Sequence, residues 1–457
     1  MGKWETRTVL LVGLWMLLFS GKIFLDFFVS FHQNGSEIEW PIGKKKQALA
    51  LAYDDAETAR EALFFLKGEG FVIDCYFDRP QFSKETWHKT ALRPKPLVIA
   101  HALGLALYLA VKGKSLHDLV EVPPGYLEAY AWGICVWKNL FLAIALWTFY
   151  RTCCLYLSPH RALLGTLLFL CFPSVYFFVG NTNMLDTLVM PLEVMFFCLL
   201  VQAWKSPQKP TLLLLLGLSF LLVTLCYLKP HHLLIVLILD AMLVGFASEG
   251  DKKKAWTFLY WLNGAVLVGF IPIMLSNYMD FREVFLSTQS GFNFFHGHNM
   301  AARGSWSPSI WKSHHDGLYA LLQSNSQLSY LNEKQESDYY AYLAWQWIAQ
   351  HPWQECELMA RKVAIFFLPH NFMHWKLNGY NLLVELGFLS FCVHYVLHFK
   401  QEDKALLFFF VPIAGILLVN VFYFVEYRWR YYAEPFMVFF AYLFLCRQLD
   451  SRKKKYV

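Results

Sequence analysis

The feature that most constrains this chain is a series of about ten long apolar stretches, most of them near the ~20 residues that a helix needs to cross a bilayer. Of all residues, 57% are hydrophobic and only 16% are charged, which excludes an ordinary soluble globular protein. Because backbone groups inside a bilayer must be satisfied within their own segment, such stretches predict helices. We therefore expect an all-α polytopic membrane protein. The predicted crossings are Val9–Val29, Ala131–Tyr150, Leu163–Val179, Leu185–Ala203, Leu212–Leu228, Leu233–Phe246, Trp256–Met274, Tyr380–Leu397, Leu406–Phe424 and Ala433–Cys446.

Short basic loops predict the orientation of these crossings, because Lys and Arg concentrate on the cytoplasmic side. Both termini are then cytoplasmic, and two large segments lie outside, near 30–130 and 276–369. We divide the chain into a membrane module with the first outer loop (1–275), an outer-face domain (276–369), and C-terminal membrane helices with a basic tail (370–457). The loops that set this orientation contain Arg151, His160 and Arg161; Lys205 and Lys209; Lys252–Lys254; Lys400 and Lys404; and Arg452–Lys455.

A shorter apolar stretch, Leu97–Val111, conflicts with this orientation if it crosses the membrane, because every later basic loop would then face outward. We interpret it as an interfacial or re-entrant helix within the first outer segment. Lys44–Lys46 is then an exception to the charge rule. The second outer segment is too long for an ordinary loop, and we expect it to carry helices, one of them over Asp338–Gln350, that fold over the membrane domain.

Ionisable residues converge on the outer face from separate segments. Charges near membrane depth are costly, so each needs a partner, a hydrated cavity or a function. Carboxylates beside several cations suit a reaction in which a base deprotonates an acceptor while cations stabilise an anionic leaving group. The candidates are the acids Asp54, Asp55 and Asp186 and the cations Arg93, Lys138, Lys229, Arg428 and Arg430.

Each candidate also has a simpler explanation. Asp54 and Asp55, like Asp186, could be acids that stabilise a helix N-terminus. Arg428 and Arg430 could be interface anchors in an aromatic stretch. Similarly, Lys229 before Pro230 could mark a helix end, and Lys138 could pair with Glu128 or Glu193. Two histidine groups, His296 with His298 and His314–Asp316, could bind zinc, but their spacing is unspecific.

The order and spacing of several short motifs resemble the GT-C glycosyltransferases, and especially the bacterial protein-O-mannosyltransferase-like and aminoarabinose-transferase-like enzymes. The resemblance covers nearly the whole chain, although each motif alone is loose. The latter enzymes often have Arg-Pro-Pro where this chain has Arg93-Pro94-Lys95-Pro96. The other matching segments are Ala56–Phe71 after the acids, Asn181–Asp186, Leu228–Pro230, Gly291–Asn299, Ala301–Gly304, His351-Pro352 and Arg428–Pro435.

The resemblance implies a membrane enzyme that takes a sugar from a polyprenyl-phosphate donor on the outer or lumenal face, with inversion at the anomeric carbon. An acid in the first outer loop serves such enzymes as catalytic base, and that position falls on Asp55 or Asp54, of which we favour Asp55. A second outer acid matches Asp186. Arg is commoner in the family where Lys229 stands, which leaves its role open. The remaining implied roles are donor-phosphate binding by Arg428, Arg430, Lys229, Lys138 and Arg93, and substrate binding by Asn293, His296 and His298.

No cofactor is required by this interpretation, and a divalent metal is left open without support. The expected partners are the lipid-linked donor, a glycolipid, polysaccharide or protein acceptor, and membrane lipids, with no nucleic acid. We expect a bacterial inner membrane with the site facing the periplasm; the endoplasmic reticulum is the alternative. Two other classes compete. A transporter using the outer acids for proton coupling would favour internal repeats and charges near the bilayer midplane, and a non-catalytic scaffold would tolerate the loss of Asp55.

Overall fold

The computed structural model describes residues 37–39, 46–48, 53–73, 88–89, 94–116, 124–170, 175, 186–248, 251–305, 332–368, 379–398 and 403–455. These residues are almost entirely helical, which confirms the all-α prediction. Four strands of two or three residues form two small antiparallel ribbons, Glu37–Glu39 with Lys46–Ala48 and Val72–Ile73 with His88–Lys89. The helices are α1 (Tyr53–Leu66), α2 (Lys95–Lys112), α3 (Pro124–Cys153), α4 (Pro159–Leu170), α5 (Asp186–Lys205), α6 (Leu212–Leu228), α7 (His232–Ser248), α8 (Lys252–Phe281), α9 (Gln289–Gly297), α10 (Glu333–Gln350), α11 (Pro352–Phe366), α12 (Gly379–Leu397), α13 (Leu407–Phe422, after a 3₁₀ turn over Lys404–Leu406) and α14 (Tyr427–Lys455).

Each predicted apolar stretch after the first overlaps one of these helices, although Leu163–Val179 does so only as far as Leu170, where α4 ends. In the described part of the chain, α5, α8, α12 and the segment Lys404–Phe422 are long and apolar enough to cross a membrane. Shorter apolar helices occupy Leu97–Lys112, α6 and α7. The helices therefore support an integral membrane protein, while the count of ten crossings stays a prediction. Val9–Val29 lies outside the described residues.

The chain divides into two compact units, the first comprising Met1–Ser206 with Phe220–Lys229 and the second Pro207–Ser219 with Pro230–Val457. In the first unit α5 is the central helix, because most of its surface is buried although it is apolar on every side. It packs against α3, and near their basic ends Gln202 donates to the Thr152 hydroxyl at 2.9 Å and to the Thr148 carbonyl at 3.1 Å. A short polar contact of this kind fixes the register of two apolar helices.

The helices of the first outer segment also belong to the first unit. α1 packs against α2 through two small apolar clusters, and α2 also packs against α3. The opposite side of α2 exposes Leu103, Leu107 and Val111, which share one face at a spacing of four residues. α2 ends at Gly113, whose φ of 62° is the left-handed conformation of a helix C-cap. An exposed apolar stripe fits the interfacial helix that the sequence predicts here, and whether it crosses the membrane stays a prediction.

The second unit contains α7 to α14. α12, α13 and α14 pack together around phenylalanine rings that include Phe391, Phe410 and Phe440, with the rings of Phe410 and Phe440 4.3 Å apart. α9 packs on α10, and α11 packs on α13. Asn332 and Gln335 begin α10 with a reciprocal capping box, which is why this helix starts before the predicted Asp338. α10 and α11 therefore supply the helices expected in the second outer segment.

Candidate functional site

The favoured catalytic acids lie at the start of α1. Asp54 and Asp55 occupy its first turn, where the helix dipole stabilises negative charge. This placement agrees with both interpretations of the two acids, as groups that stabilise a helix N-terminus and as catalytic groups. Nothing further is described of their side chains, so their roles stay predictions.

Asp186 and Lys229 form an ion pair within the first unit. Asp186 is the first residue of α5 and Lys229 follows the last residue of α6, so two antiparallel helices bring them to the same end. The Lys229 Nζ lies 3.2 Å from an Asp186 carboxylate oxygen. The carboxylate is buried, with 3% of its side chain exposed, whereas 19% of the lysine side chain remains accessible. The structure thus joins two residues that the sequence assigned separately, one as an acid and one as a phosphate-binding cation.

Lys138 and Arg93 are the other cations that the sequence assigns to phosphate binding in this part of the chain. Lys138 lies inside α3 with a fully buried side chain. Arg93 lies outside the described residues. Two positions later, Lys95 begins α2, is buried, and holds its amine 5.0 Å from the centre of the Phe71 ring.

Arg430 lies in the second unit and is almost completely buried. One guanidinium nitrogen donates to the carbonyls of Phe366 at 2.9 Å and Leu368 at 2.6 Å, and the other donates to Glu385. Its Nε is 3.6 Å from a carboxylate oxygen of Glu434, one turn further along α14. The last carbonyls of a helix have no intrahelical partner, so Arg430 closes the C-terminal end of α11. Its donors are therefore directed at protein groups.

Arg428 is the second residue of α14, and the structure describes only its backbone. Its phosphate-binding role stays a prediction. The turn that leads to it, Tyr423–Glu426, is held by the backbone N–H of Val425, which donates to the Gly304 carbonyl at 2.8 Å, and by the N–H of Glu426, which donates to the Asn420 side chain at 2.9 Å.

A second buried polar cluster joins α9, α11 and the end of α13. His298 Nε2 is 2.6 Å from the Phe422 carbonyl, and its Nδ1 is 2.8 Å from a Glu355 carboxylate oxygen, close enough for an ion pair although not aligned as a hydrogen bond. The Lys362 amine donates to the carbonyls of Val421 at 3.0 Å and Tyr423 at 2.7 Å. It is also 3.2 Å from His298 Nε2. Burial lowers the pKa of Lys362 to about 7, although the Glu355 charge acts in the opposite direction.

Glycine permits this cluster to form. A Cβ on Gly297 would lie 1.6 Å from the Tyr423 carbonyl oxygen, so only glycine lets the end of α9 approach the turn. Gly304 has a φ of 89°, which an L side chain rarely adopts, and its carbonyl accepts from Val425. These are two glycines of the Gly291–Asn299 and Ala301–Gly304 motifs, and they account structurally for part of the pattern.

The three residues assigned to substrate binding differ in burial. Asn293 is half-buried on α9, whereas His296 and His298 are buried. The His296 ring meets Phe424 edge-on at 4.8 Å. Among the described residues, no three His, Cys, Asp or Glu side chains come together as a metal site. His314–Asp316 lies outside the described residues.

Sequence reasoning did not find Glu355, Lys362 or Glu385. Glu355 and Lys362 share the buried face of α11 with Leu358 and Phe366. The sequence offers one signal for them: each is an ionisable residue at a position where the helical spacing predicts an apolar one. Such a residue needs a partner when that face of the helix is buried. Glu385 likewise stands on the buried face of α12.

No protein-family model and no curated protein matches the chain. Among solved structures, the fold is similar to that of the archaeal oligosaccharyltransferase AglB from Archaeoglobus fulgidus, solved in complex with an inhibitory peptide and a dolichol-phosphate. The TM-score is 0.54 and the sequence identity 11%. The fold is of the GT-C type. The match covers 98% of this chain and 51% of AglB, so this chain spans about half the length of its structural relative. The predicted GT-C fold is confirmed, and the closer subfamily stays a prediction.

Proposed function

We propose that this chain is a membrane glycosyltransferase that moves a sugar from a polyprenyl-phosphate-linked donor to an acceptor on the periplasmic or lumenal face. The observation that carries this proposal is the fold, which resembles that of AglB over 98% of the chain in a complex that contains a dolichol-phosphate. The acids at the start of α1 and the ion pair at the ends of α5 and α6 supply residue types that the reaction requires.

The proposed reaction is a single displacement with inversion. The acceptor oxygen forms a bond to the anomeric carbon while the bond from that carbon to the phosphate oxygen breaks. Asp55 takes the acceptor proton, and the polyprenyl phosphate leaves with the bonding electron pair. Asp54, beside it on the same turn, is an auxiliary group. The glycolipid, polysaccharide or protein that accepts the sugar enters from the outer side of a bacterial inner membrane.

Lys229 is the strongest described candidate for the departing phosphate. Its side chain is partly accessible, and a cation placed where negative charge develops lowers the barrier. Asp186 pairs with this amine and so acts on the reaction through Lys229. We keep Arg428 as a further phosphate-binding residue, since an arginine binds a phosphate with two parallel hydrogen bonds.

The deciding experiment is sugar transfer by the purified full-length protein in detergent. Mannosyl, glucosyl, aminoarabinosyl and arabinofuranosyl polyprenyl phosphates, each radiolabelled in the sugar, would be offered with a membrane extract as acceptor pool. We expect one donor to support transfer by the wild type and Asp55→Asn to reduce the rate by ~10²–10⁴-fold, the usual contribution of a general base. Asp54→Asn should have a smaller effect.

Asp251→Asn is the matched control, because it removes an exposed carboxylate that precedes α8 and makes no side-chain capping bond. It should transfer at the wild-type rate. Full activity of a folded Asp55→Asn protein would remove the base assignment. Failure of every donor with folded wild type would overturn the proposed function, and proton-coupled flux in liposomes would then test the transporter class.

A further inference from the structure

The last turn of α13 ends on three successive carbonyls that side chains satisfy. Lys362 donates to those of Val421 and Tyr423, and His298 Nε2 lies 2.6 Å from that of Phe422 between them. Free carbonyls at a helix C-terminus need partners, and buried ones need them most. Lys362 lies on α11, and His298 directly follows α9, so side chains from two separate elements contact the end of α13.

One distribution of protons fits the contacts that Lys362 makes in this cluster. A neutral Lys362 amine has two N–H groups for its two carbonyls and a lone pair that faces His298 Nε2. His298 donates from Nε2 to the Phe422 carbonyl at 2.6 Å. A proton added to Lys362 would turn an N–H towards this same N–H group, 3.2 Å away, so these contacts fit the neutral amine.

Among the described residues, Glu355 is the counter-charge that acts on Lys362. α13, against which α11 packs, has no ionisable side chain. On α10, the described ion pair joins Lys334 to Asp338, and Lys334 also approaches Glu283. The turn itself carries Tyr423 and Glu426.

The same turn leads directly to the predicted phosphate-binding residue. Only Tyr423 to Glu426 separate the end of α13 from the start of α14, where Arg428 is the second residue. The orientation of that first helical turn therefore depends on how the end of α13 is held.

We propose that His298, Glu355 and Lys362 are positioning residues: they form a buried clamp that fixes the turn Tyr423–Glu426, and with it Arg428, and the clamp tightens when Lys362 loses its proton. The role in transfer rests on the proposed function, whereas the clamp itself does not. The direction of the pH effect follows from the number of protons that the open and the closed forms bind. A hydrated lysine keeps its proton up to about pH 10, whereas the buried amine loses it near pH 7 because burial lowers its pKa to about 7. Between these values the open form binds more protons, so the closed clamp gains stability as pH rises above 7.

Hydrogen exchange of the backbone amides of residues 420–426 measures the clamp directly, in full-length protein in detergent. After correction for the chemical pH dependence of exchange, we expect the rate to fall by up to about tenfold per pH unit above pH 7 and to be constant below it. The amides of α7 serve as the internal reference and should show no such change. A corrected rate that is the same at all pH values in the wild type would overturn the proposal without any variant.

Lys362→Met tests the assignment to this amine. The variant removes the titrating group, so its turn should exchange faster than in the wild type and at a rate independent of pH. Arg361→Met is the matched control, because the neighbouring side chain on α11 is exposed and pairs with Glu357. It should keep the wild-type pH dependence. A pH dependence that survives in a folded Lys362→Met protein would assign the effect to another group and overturn the clamp.

Transfer kinetics test the positioning role. The KM for the lipid-linked donor should fall as pH rises above 7 in the wild type, and this change should be absent in Lys362→Met. If the wild type transfers from no donor, the proposed function fails while the exchange experiment still decides on the clamp. If transfer occurs and its KM does not follow the exchange data, the clamp does not position the donor site.

Discussion

Two groups of charges that the sequence predicts on the outer face look alike in sequence and differ in structure. In the first unit, Lys229 meets Asp186 and keeps 19% of its side chain accessible. In the second unit, Arg430 is buried against Glu385, Glu434 and the end of α11. Both cations follow long apolar stretches, and both were assigned to phosphate binding.

The difference lies in what each cation contacts. The described donors of Arg430 go to carbonyls and carboxylates of its own unit, so a ligand would have to replace contacts that end a helix. The Lys229 side chain stays partly accessible while its amine pairs with Asp186. A basic residue near the membrane surface is thus an architectural group when its partners are backbone carbonyls, and a ligand candidate when part of it remains accessible.

The largest effect on stability is expected from Arg430→Ala. Removing the guanidinium leaves Glu385 as a buried charge without its partner and exposes the carbonyls at the end of α11, a loss of about 3–5 kcal/mol for breaking a buried ion pair. Thermal unfolding in detergent measures it. Arg303→Ala, at an exposed arginine of the same unit, should unfold like the wild type.

A double variant sharpens that prediction. Glu385→Gln combined with Arg430→Ala removes both charges, so it should be less destabilised than the sum of the single changes. Strict additivity would mean that the two side chains do not depend on each other, and the architectural reading of Arg430 would then be wrong.

Lys229 should show a different balance: a large effect on activity and a smaller effect on unfolding than Arg430→Ala, because glutamine keeps an N–H that can donate to the buried Asp186 carboxylate. Lys229→Gln removes one charge-assisted contact to the leaving phosphate, typically about 1.5–3 kcal/mol, or roughly ten- to a hundredfold in kcat/KM. Lys229→Arg should retain most activity, because it keeps the cation and can bind a phosphate with two hydrogen bonds. Equal kcat/KM in the wild type and the glutamine variant would remove Lys229 from the site.

The sequence predicted the helices well because the bilayer requires a minimum length and an apolar surface. α6 begins and ends at the predicted residues, Leu212 and Leu228, and α12 differs by one residue at its start. These features depend on local composition alone. The first outer segment was harder, since α2 is apolar but short, and only the charges of distant loops argue against a crossing.

The contacts of the second outer segment could not be predicted, because they depend on which helix faces meet. Glu355 and Lys362 are seven residues apart on one face of α11, and the sequence shows this spacing without showing that the face covers the end of α13. The pair Asp186–Lys229 is comparable. Both residues were recognised as unusual, but their contact requires α5 and α6 to be antiparallel with matched ends.

A smaller effect is expected from Gly297→Ala, which tests the close approach of α9 to the turn. The added Cβ would meet the Tyr423 carbonyl oxygen at 1.6 Å, so the turn must move, at a cost of about 1–3 kcal/mol typical of overpacking. Gly264→Ala on α8 is the control, since nothing lies within 4 Å of its added Cβ and alanine favours a helix. Equal unfolding temperatures for the two variants would contradict the packing of Gly297.

The smallest effect is expected at an exposed ion pair on α11, beside the clamp. Arg361 and Glu357 form an ion pair on α11 with an N–O distance of 2.7 Å, shorter than that of Lys229 with Asp186, yet both side chains are about half exposed or more. Exposed pairs four residues apart contribute only about 0.3–0.5 kcal/mol, so Arg361→Ala should change thermal unfolding by less than Gly297→Ala, and added salt should abolish the difference from the wild type. A loss as large as that of Arg430→Ala would mean that distance, and not burial, decides what these charges do.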